Sequence, residues 1–364
     1  MRSLFSYYRT ELLLDCYLFM NRPKYDINQY QAVLRMQSRG KIRLLVEGEE
    51  DRKVFKRLIS VAADHKDCPG EFRDSIVVDI SDYLIKTERL KQSQTSENIG
   101  AREKVEIVCQ SIDGKEYASK LIGFVDREFR GFEIDEVVID SIASHRVENR
   151  LIWSRGHSIE NYFFEKAAMK SWVLGLLEQE WFDDVIASID IFFDPALLYA
   201  CAVSLAVRDI SQRERLEKLT EKVDRSIDYE LLVIDSSVLH FDYDEWVKRL
   251  QSRQNLPSNV AEAIISQTKK WVNRLSDADS ETHRWLCRGH TGMKVLGAWL
   301  DSCTFYANPS YRLNSKEGPK KYLGQSNVSD PKRFISFTSI WIQRALKNEC
   351  AHPIEELRKL GLDL

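Results

Sequence analysis

The chain of 364 residues is 43% hydrophobic and 30% charged, ordinary globular composition with enough material for two cores. Its formal net charge of −3 excludes a protein that holds nucleic acid by overall charge alone, so any polynucleotide has to be met by local basic patches or through bound metal. The seven cysteines are odd in number and form no CxxC pair, which excludes a small disulfide scaffold and fits reduced thiols in a cytoplasmic protein.

Residues 1–40 form a basic, amphipathic helical lead-in. Arg9, Arg22, Lys24, Arg35 and Arg39 interleave with Tyr7, Tyr8, Tyr25 and Tyr30, a mixture that suits either single-strand or RNA contact or a solvated helix resting its tyrosines on the main domain. The first twenty residues, MRSLFSYYRTELLLDCYLFM, are broken by Glu11 and Asp15 and lead to no small-residue cleavage site, so they do not read as a signal peptide. No uninterrupted apolar run reaches the roughly 18 residues of a membrane span. The expectation is a soluble, cytoplasmic protein with no membrane partner.

From residue 41 the pattern alternates. Lys41–Val46 is an apolar run suited to a buried strand, and Asp51–Ile59 shows helical spacing through Val54, Phe55, Leu58 and Ile59. Ser75–Ile80 is a second strand, residues 91–100 a polar loop, Ala101–Ile112 a helix, Lys120–Val125 a third strand and Leu151–Trp153 a fourth. Such repeats predict an α/β domain over 41–165, built on a parallel sheet flanked by helices with right-handed crossovers. Residues 166–364 are mainly helical, with helices expected over 166–181, 195–224, 243–276, 282–301 and 332–347, and a loop over 307–331. This region is expected to supply substrate, partner or dimer contacts. Trp153, Trp172, Trp181 and Trp246 read as core aromatics.

Two segments carry the chemistry. In Leu44-Leu-Val-Glu-Gly-Glu-Glu-Asp51, Glu47 falls at the carboxyl end of the first strand, Gly48 permits a tight turn, and Asp51 lies in the first turn of the following helix. Ligands of open α/β sheets collect beyond the carboxyl ends of the strands. In Leu121-Ile-Gly-Phe-Val-Asp-Arg-Glu128, the third strand runs into Asp126 and Glu128; if it continues through them, both carboxylates share one face. Paired carboxylates repel unless a cation lies between them, and Mg²⁺ prefers such oxygen ligands. Two ions about 3.5–4 Å apart would clamp the attacking and leaving oxygens of a phosphodiester. Against this stands a plainer reading, in which Glu49, Glu50 and Asp51 complement the helix dipole and Asp126–Glu128 is a turn after a strand.

Glu-Gly at the end of a first strand, with Asp-x-Asp/Glu at the end of a third, resembles the TOPRIM domain of topoisomerases, primases and OLD-family nucleases. The spacing of Glu47 and Asp51 is similar to the OLD variant, where both acids bind metal, and His157-Ser-Ile-Glu-Asn-Tyr162 resembles its Ser-x-Glu element, which implies Ser158 and Glu160 beside a second metal. Taken together, VEGEEDRKVF, GFVDREF and HSIENYFF more narrowly resemble a TOPRIM-like family of bacterial defence effectors, the AriB effectors of PARIS anti-phage systems among them. The likeness covers residues 41–165 and only loosely the helical remainder, and Glu128 stands where the common pattern has a second Asp. It implies a Mg²⁺-dependent endonuclease, with Mn²⁺ as a substitute, acting as a toxin effector on RNA, tRNA first. An AriA-like ATPase would restrain and release it in trans, and the active form would be a homodimer. The chain itself has no GxxxxGK[ST] phosphate loop, so it is not the ATPase.

On this reading Glu47, Asp51, Asp126, Glu128 and Glu160 ligate metal, with Glu47 alternatively relaying a proton. Ser158, His157 and Gly48 support them. Lys294, in Arg288-Gly-His-Thr-Gly-Met-Lys294, either offsets charge on the scissile phosphate or is an exposed lysine beyond a helix start. His157 is an acid or base, an orienting partner of Glu160, or a packing residue. His283, Cys287 and His290 have zinc-like spacing without an evident fourth ligand. Lys316, Lys320, Lys321, Lys332 and Arg333 form a basic stretch that either guides RNA backbone or is solvated. The alternatives are a topoisomerase or primase, for which the chain is short, a small-molecule phosphohydrolase, a DNA-directed TOPRIM nuclease, and a non-catalytic module that binds an ATPase.

Overall fold

The computed structural model describes residues 24–64, 66, 69–84, 100–135, 137–142, 144–174, 182–216, 218–235, 238–307, 331–362 and 364. Most of the N-terminal lead-in, the polar loop at 91–99, Trp181 and the basic residues Lys316, Lys320 and Lys321 lie outside them. The chain is mixed α/β with a mostly parallel sheet. By compactness it forms two units: one takes Met1–Val125, Val147–Ile152 and Leu357–Leu364, the other Asp126–Arg146 and Trp153–Glu356.

The first unit is built on the sheet. Helix α1 (Ile27–Met36) starts at a capping box in which Asp26 accepts from the Gln29 N–H and Gln29 accepts from the Asp26 N–H. Strand β1 (Ile42–Val46) leads into α2 (Glu49–Ala63); α3 (Pro69–Ser75) precedes β2 (Ile76–Ile80), and α4 (Ala101–Ile112) precedes β3 (Leu121–Val125). Two further strands, β6 (Arg146–Glu148) and β7 (Leu151–Trp153), are joined by two residues, with Asn149 in the left-handed region at φ 53°. Among the described residues the sheet has five strands in the order β2-β1-β3-β7-β6. β1 pairs in parallel with β2, Ile42 opposite Ile76 through Val46 opposite Ile80, and in parallel with β3, Leu45 opposite Gly123.

β3 reads as an unbroken apolar run because a central strand is covered on both faces. All five residues of β3 are buried. α2 buries Val54, Phe55, Leu58 and Ile59, and Phe55 meets Phe124 edge-on at 4.8 Å. α4 buries Val105, Val108, Cys109 and Ile112. Its close approach to β3 requires Gly123, where a Cβ would lie 2.5 Å from Cys109 Sγ and 2.8 Å from Leu151 Cδ1. The buried Asp79 of β2 accepts from Tyr30 Oη at 2.9 Å and Arg43 Nη1 at 2.6 Å, tying α1 and β1 to β2.

The second unit is mainly helical. Two hairpins belong to it, β4 (Phe132–Ile134) with β5 (Val138–Asp140), and β8 (Leu232–Asp235) with β9 (Val238–Phe241). Its helices are α5 (Lys166–Leu174), α6 (Phe182–Glu214), α7 (Leu219–Ser226), α8 (Tyr243–Ser252), α9 (Ser258–Leu275), α10 (Ser280–Leu286), α11 (Gly289–Ala307) and α12 (Pro331–Leu346). A last helix, α13, spans Ile354–Lys359. The expected helix over 243–276 is interrupted before Pro257, whose φ is fixed and whose preceding residue is biased away from helix. The expected helix over 282–301 is two helices, broken at Cys287-Arg288.

Helix α6 corrects another expectation. The helix expected over 195–224 begins earlier, at Phe182, and passes through Pro195. An interior proline costs about 3 kcal/mol or more. Phe192, Phe193, Ala196 and Leu197 are all buried around it, and at about 1.5–3 kcal/mol for each large apolar side chain their burial outweighs that cost. Asp183–Glu214 is also long and apolar enough to cross a membrane by composition, but 56% of its most apolar window is buried, as expected of a core helix packed on α9 and α11. Among the described residues Cys109, Cys201, Cys287, Cys303 and Cys350 are free thiols.

Gly123→Ala tests the tight packing of α4 on β3. Overpacking of this kind costs about 1–3 kcal/mol, so chemical denaturation should show a lowered midpoint for the first unit; an unchanged midpoint would mean that Cys109 and Leu151 yield freely.

Candidate functional site

Glu47 and Gly48 follow β1 directly. Because the crossover from β1 leads to β2 on one side, and the next crossover returns past β1 to β3 on the other, the carboxyl ends of β1 and β3 form the topological switch point of the sheet. The Ser81 hydroxyl holds the Glu47 carbonyl at 2.7 Å. Gly48 is the extended residue before α2, and its N–H donates to Asp51 Oδ2 at 3.0 Å, so the buried Asp51 closes the helix start with one carboxylate oxygen. Arg52, also buried, takes both oxygens of Glu49 at 2.8 and 2.9 Å. The dipole reading of these acids thus has its geometry.

Asp126 is the first residue after β3, and with Glu128, His157, Ser158, Glu160 and Lys294 it belongs to the second unit, whereas Glu47, Gly48 and Asp51 belong to the first. β3 stops at Val125, and Glu128 is left-handed at φ 51°. The strand therefore does not continue through Asp126 and Glu128, the condition for their sharing one face, and the plainer reading of a turn after the strand is the one found. The cause is Arg127, whose side chain turns into the second unit's interior, where it is 1% exposed and pairs with Asp140 at 2.6 Å. The main chain of this turn is fastened as well: the Arg127 N–H donates to Ser154 Oγ at 2.9 Å and the Glu128 N–H to the His157 carbonyl at 2.8 Å.

The His157 N–H in turn donates to the Trp285 carbonyl at 2.7 Å, and its ring lies edge-on to Phe129 at 4.6 Å. A single helical turn over Ile159–Phe163 begins at Ser158, whose N–H donates to Asn161 Oδ1 at 2.7 Å. Asn161 Nδ2 reaches the carbonyls of Arg284 and Cys287 at 2.5 and 2.7 Å, and Arg284 returns bonds to the Asn161 and Tyr162 carbonyls at 3.1 and 3.0 Å. This lacing brings Ser158 and Glu160 to the start of α11. Gly289 is needed there, because a Cβ would lie 2.1 Å from Ser158 Oγ and 2.3 Å from Glu160 Oε2.

The histidine that pairs with Glu160 is His290, Nε2 to Oε1 at 3.1 Å. Burial pushes the Glu160 carboxyl up, but hydrogen bonding and the charge of His290, with Ser158 Oγ, outweigh it and hold the group below the usual carboxylate range. Glu160 therefore stays charged at neutral pH. At the next residue, Thr291 Oγ1 donates to the buried Asp224 of α7 at 2.8 Å. Burial pushes the Asp224 carboxyl up against the pull of Thr291, Arg288, His290 and Lys294. Burial also pushes the Lys294 ammonium down, with Asp224 opposing. Shifted acid and amine in one cluster are a common mark of a working site. Asp224 lies in an ordinary amphipathic helix, Leu219-Thr-Glu-Lys-Val-Asp-Arg-Ser226, and no sequence motif flags it.

The zinc spacing of His283, Cys287 and His290 does not become a ligand set. His283 Nε2 faces the Leu275 carbonyl at 2.9 Å, the Cys287 thiol faces Ser204 Oγ at 3.5 Å, and His290 faces Glu160. No protein-family model matches the chain, and no curated protein matches it.

Each unit offers its own chemistry: the first has carboxylates after β1, and the second has the carboxylates of the 126–128 turn and a buried acid–cation cluster around the start of α11. Asp140 provides a pH test of the turn between them in sequence. Burial raises its carboxyl, but Arg127 and Arg155, with the Ile142 N–H, bring it below its ordinary value. Its stabilisation is therefore complete above the unfolded value near ~3.9 and is lost as pH falls through the lower folded value. Breaking a buried pair from one side costs about 3–5 kcal/mol, so denaturation should show Asp140→Asn far less stable than wild type at pH 7, with the two curves converging below about pH 4. A gap independent of pH would reject the ion pair.

Proposed function

We propose that this chain is a Mg²⁺-dependent, TOPRIM-type phosphodiester hydrolase that cuts RNA, with tRNA as the first candidate substrate. In this reading it is a cytoplasmic effector of anti-phage defence, restrained and released by an ATPase in trans, and dimeric when active. The observation that carries the hydrolase reading is the position of Glu47 and Asp126, each directly after one of two adjacent parallel strands that flank the switch point of the sheet. Support for RNA and for the ATPase comes from the likeness of the three sequence motifs, and the helical region is the surface offered for dimerisation.

The donor chemistry fits the ion. Glu47, Asp51, Asp126 and Glu128 offer carboxylate oxygens, which Mg²⁺ and Mn²⁺ prefer, and Glu160 adds one for a second ion. The Gly48 N–H, bonded to one oxygen of Asp51, fixes how the other is directed. When bound, the ion neutralises and polarises a phosphate oxygen. Glu47 accepts and passes on a proton from the attacking water, and Lys294 offsets charge on the phosphate. Ser158 fixes the carboxylate of Glu160, and the His157 carbonyl fixes the main chain at Glu128.

The test is cleavage of RNA, DNA and mononucleotides side by side with Mg²⁺, together with sequencing of RNA ends after expression of wild type and Asp126→Ala. Loss of an outer-sphere partner already costs about 10–100-fold, so Asp126→Ala should lose at least that much RNA cleavage, and the RNA ends seen with wild type should disappear. Identical RNA profiles would defeat the hydrolase reading, and cleavage confined to DNA would redirect it to a DNA nuclease.

A further inference from the structure

Arg127 stands between the two acids of the 126–128 turn, yet every arm of its guanidinium is turned inward. Nε donates to the Arg130 carbonyl at 2.6 Å, Nη1 to the Arg155 carbonyl at 3.0 Å, and Nη2 to the Gly131 carbonyl at 3.0 Å and to Asp140 Oδ1 at 2.6 Å. Its plane lies over the Phe132 ring at 3.9 Å. Asp140 is fixed in turn, since Oδ1 also accepts the Ile142 N–H at 3.0 Å and Oδ2 accepts Arg155 Nη1 at 2.5 Å. A planar fork filled on several acceptors fixes both the place and the orientation of the residue that bears it, which a lysine could not do. Glu128, one residue on, holds a left-handed backbone, a state that persists only where the surroundings impose it.

We propose that Asp140 is a positioning residue which, through Arg127, holds the carboxylates of Asp126 and Glu128 in the arrangement that takes up an oxygen-seeking divalent cation. The inference rests on the reading of Asp126 and Glu128 as ligands. Asp140 contributes in two ways. It anchors the turn, and it keeps a buried guanidinium neutralised. Without it, Arg127 is left with carbonyl partners alone, and its charge is drawn toward the carboxylates on either side, where it competes with the cation.

The experiment measures Mn²⁺ binding to the full chain by electron paramagnetic resonance of the free ion, in wild type, Asp140→Asn, Asp140→Glu and Arg249→Met. Arg249 is the control because it is an equally buried arginine of the second unit, held by Asp228, Glu230 and Glu245. Its loss lowers stability without touching the turn. Asp140→Asn is expected to weaken Mn²⁺ about 10–100-fold, Asp140→Glu to recover part of that loss, and Arg249→Met to bind as wild type does, although both neutralising variants lower the thermal midpoint. Unchanged affinity in Asp140→Asn, or equal weakening in Arg249→Met, overturns the proposal while leaving the metal reading intact. A wild type that binds no Mn²⁺ removes the metal reading, and this inference with it. Should Asp140→Asn not fold, Arg127→Lys keeps the charge and loses the fork; it is expected to weaken Mn²⁺ comparably, and wild-type affinity in that variant overturns the proposal.

Discussion

The parallel pairing of β1 with both β2 and β3 is the constraint on which the first unit depends. A strand hydrogen-bonded on both sides and covered on both faces has no place for a charge along its buried length, so Leu44, Leu45 and Val46, like Ile122, Phe124 and Val125, are fully apolar and buried. Each such side chain contributes on the order of 1.5–3 kcal/mol. Glu47 and Asp126 stand where β1 and β3 end, and the charge within β1, Arg43, is paired with Asp79 of β2. The same pairing sends successive crossovers to opposite sides of β1, so these acids follow the two strands between which an open sheet leaves its crevice. Fold stability and the location of the candidate chemistry therefore have one origin.

The second unit solves a different problem. It buries Arg127, Arg249 and Arg284, each nearly inaccessible, and an unpaired buried charge costs several kcal/mol. Arg249 is neutralised by three carboxylates, whereas Arg127 and Arg284 are satisfied mostly by main-chain carbonyls. A guanidinium that bonds carbonyls from several segments joins those segments. Arg127 links the turn after β3 to residues 130–131, 140 and 155, and Asn161 with Arg284 links the Ile159–Phe163 turn to the end of α10 and the start of α11. The loops bearing Asp126, Glu128, Ser158 and Glu160 are thus held by buried polar bonds, the kind of support a binding site on loops needs.

The parts of the fold legible in the sequence are those with a long apolar signature. The runs ending at Val46, Ile80, Val125 and Trp153 are strands within a residue of where the pattern puts them, and Ala101–Ile112 is a helix at those bounds. Strands β4, β5, β6, β8 and β9 have three or four residues each, with β6 wholly exposed and β4 and β5 partly so, too few and too mixed for a period to register. The helix expected from residue 195 starts earlier because the local cost of Pro195 is offset by burial that comes from tertiary packing. The left-handed backbone of Glu128 follows Arg127, whose partner Asp140 lies thirteen positions further along the sequence, where no local pattern shows it. The pairing of Glu160 with His290, and of Asp224 with Thr291, joins positions 130 and 67 apart. No spacing rule could have found either pair. The motifs identified which acids to examine; they did not identify the side chains that hold and tune them.

The candidate ligands are not equivalent. Asp51 has a sufficient structural reason to be where it is, since an acid at the third position of a helix that accepts the N–H before it satisfies one of the open donors of the helix start. A carboxylate has about four lone-pair directions, so the cap does not forbid a ligand role, but it removes the need for one. Glu49 is likewise explained by the buried Arg52. Asp126 stands in a different local setting. It follows a strand rather than opening a helix, the turn after it is bent by its neighbour Arg127, and Glu128 beyond it is exposed on a strained backbone. The buried bonds of Arg127 hold the turn that follows Asp126. The proposed chemistry is therefore tested most directly at Asp126, because a variant there disturbs neither the helix start nor the Arg52 pair, although the acids after β1 are the more conspicuous in the sequence.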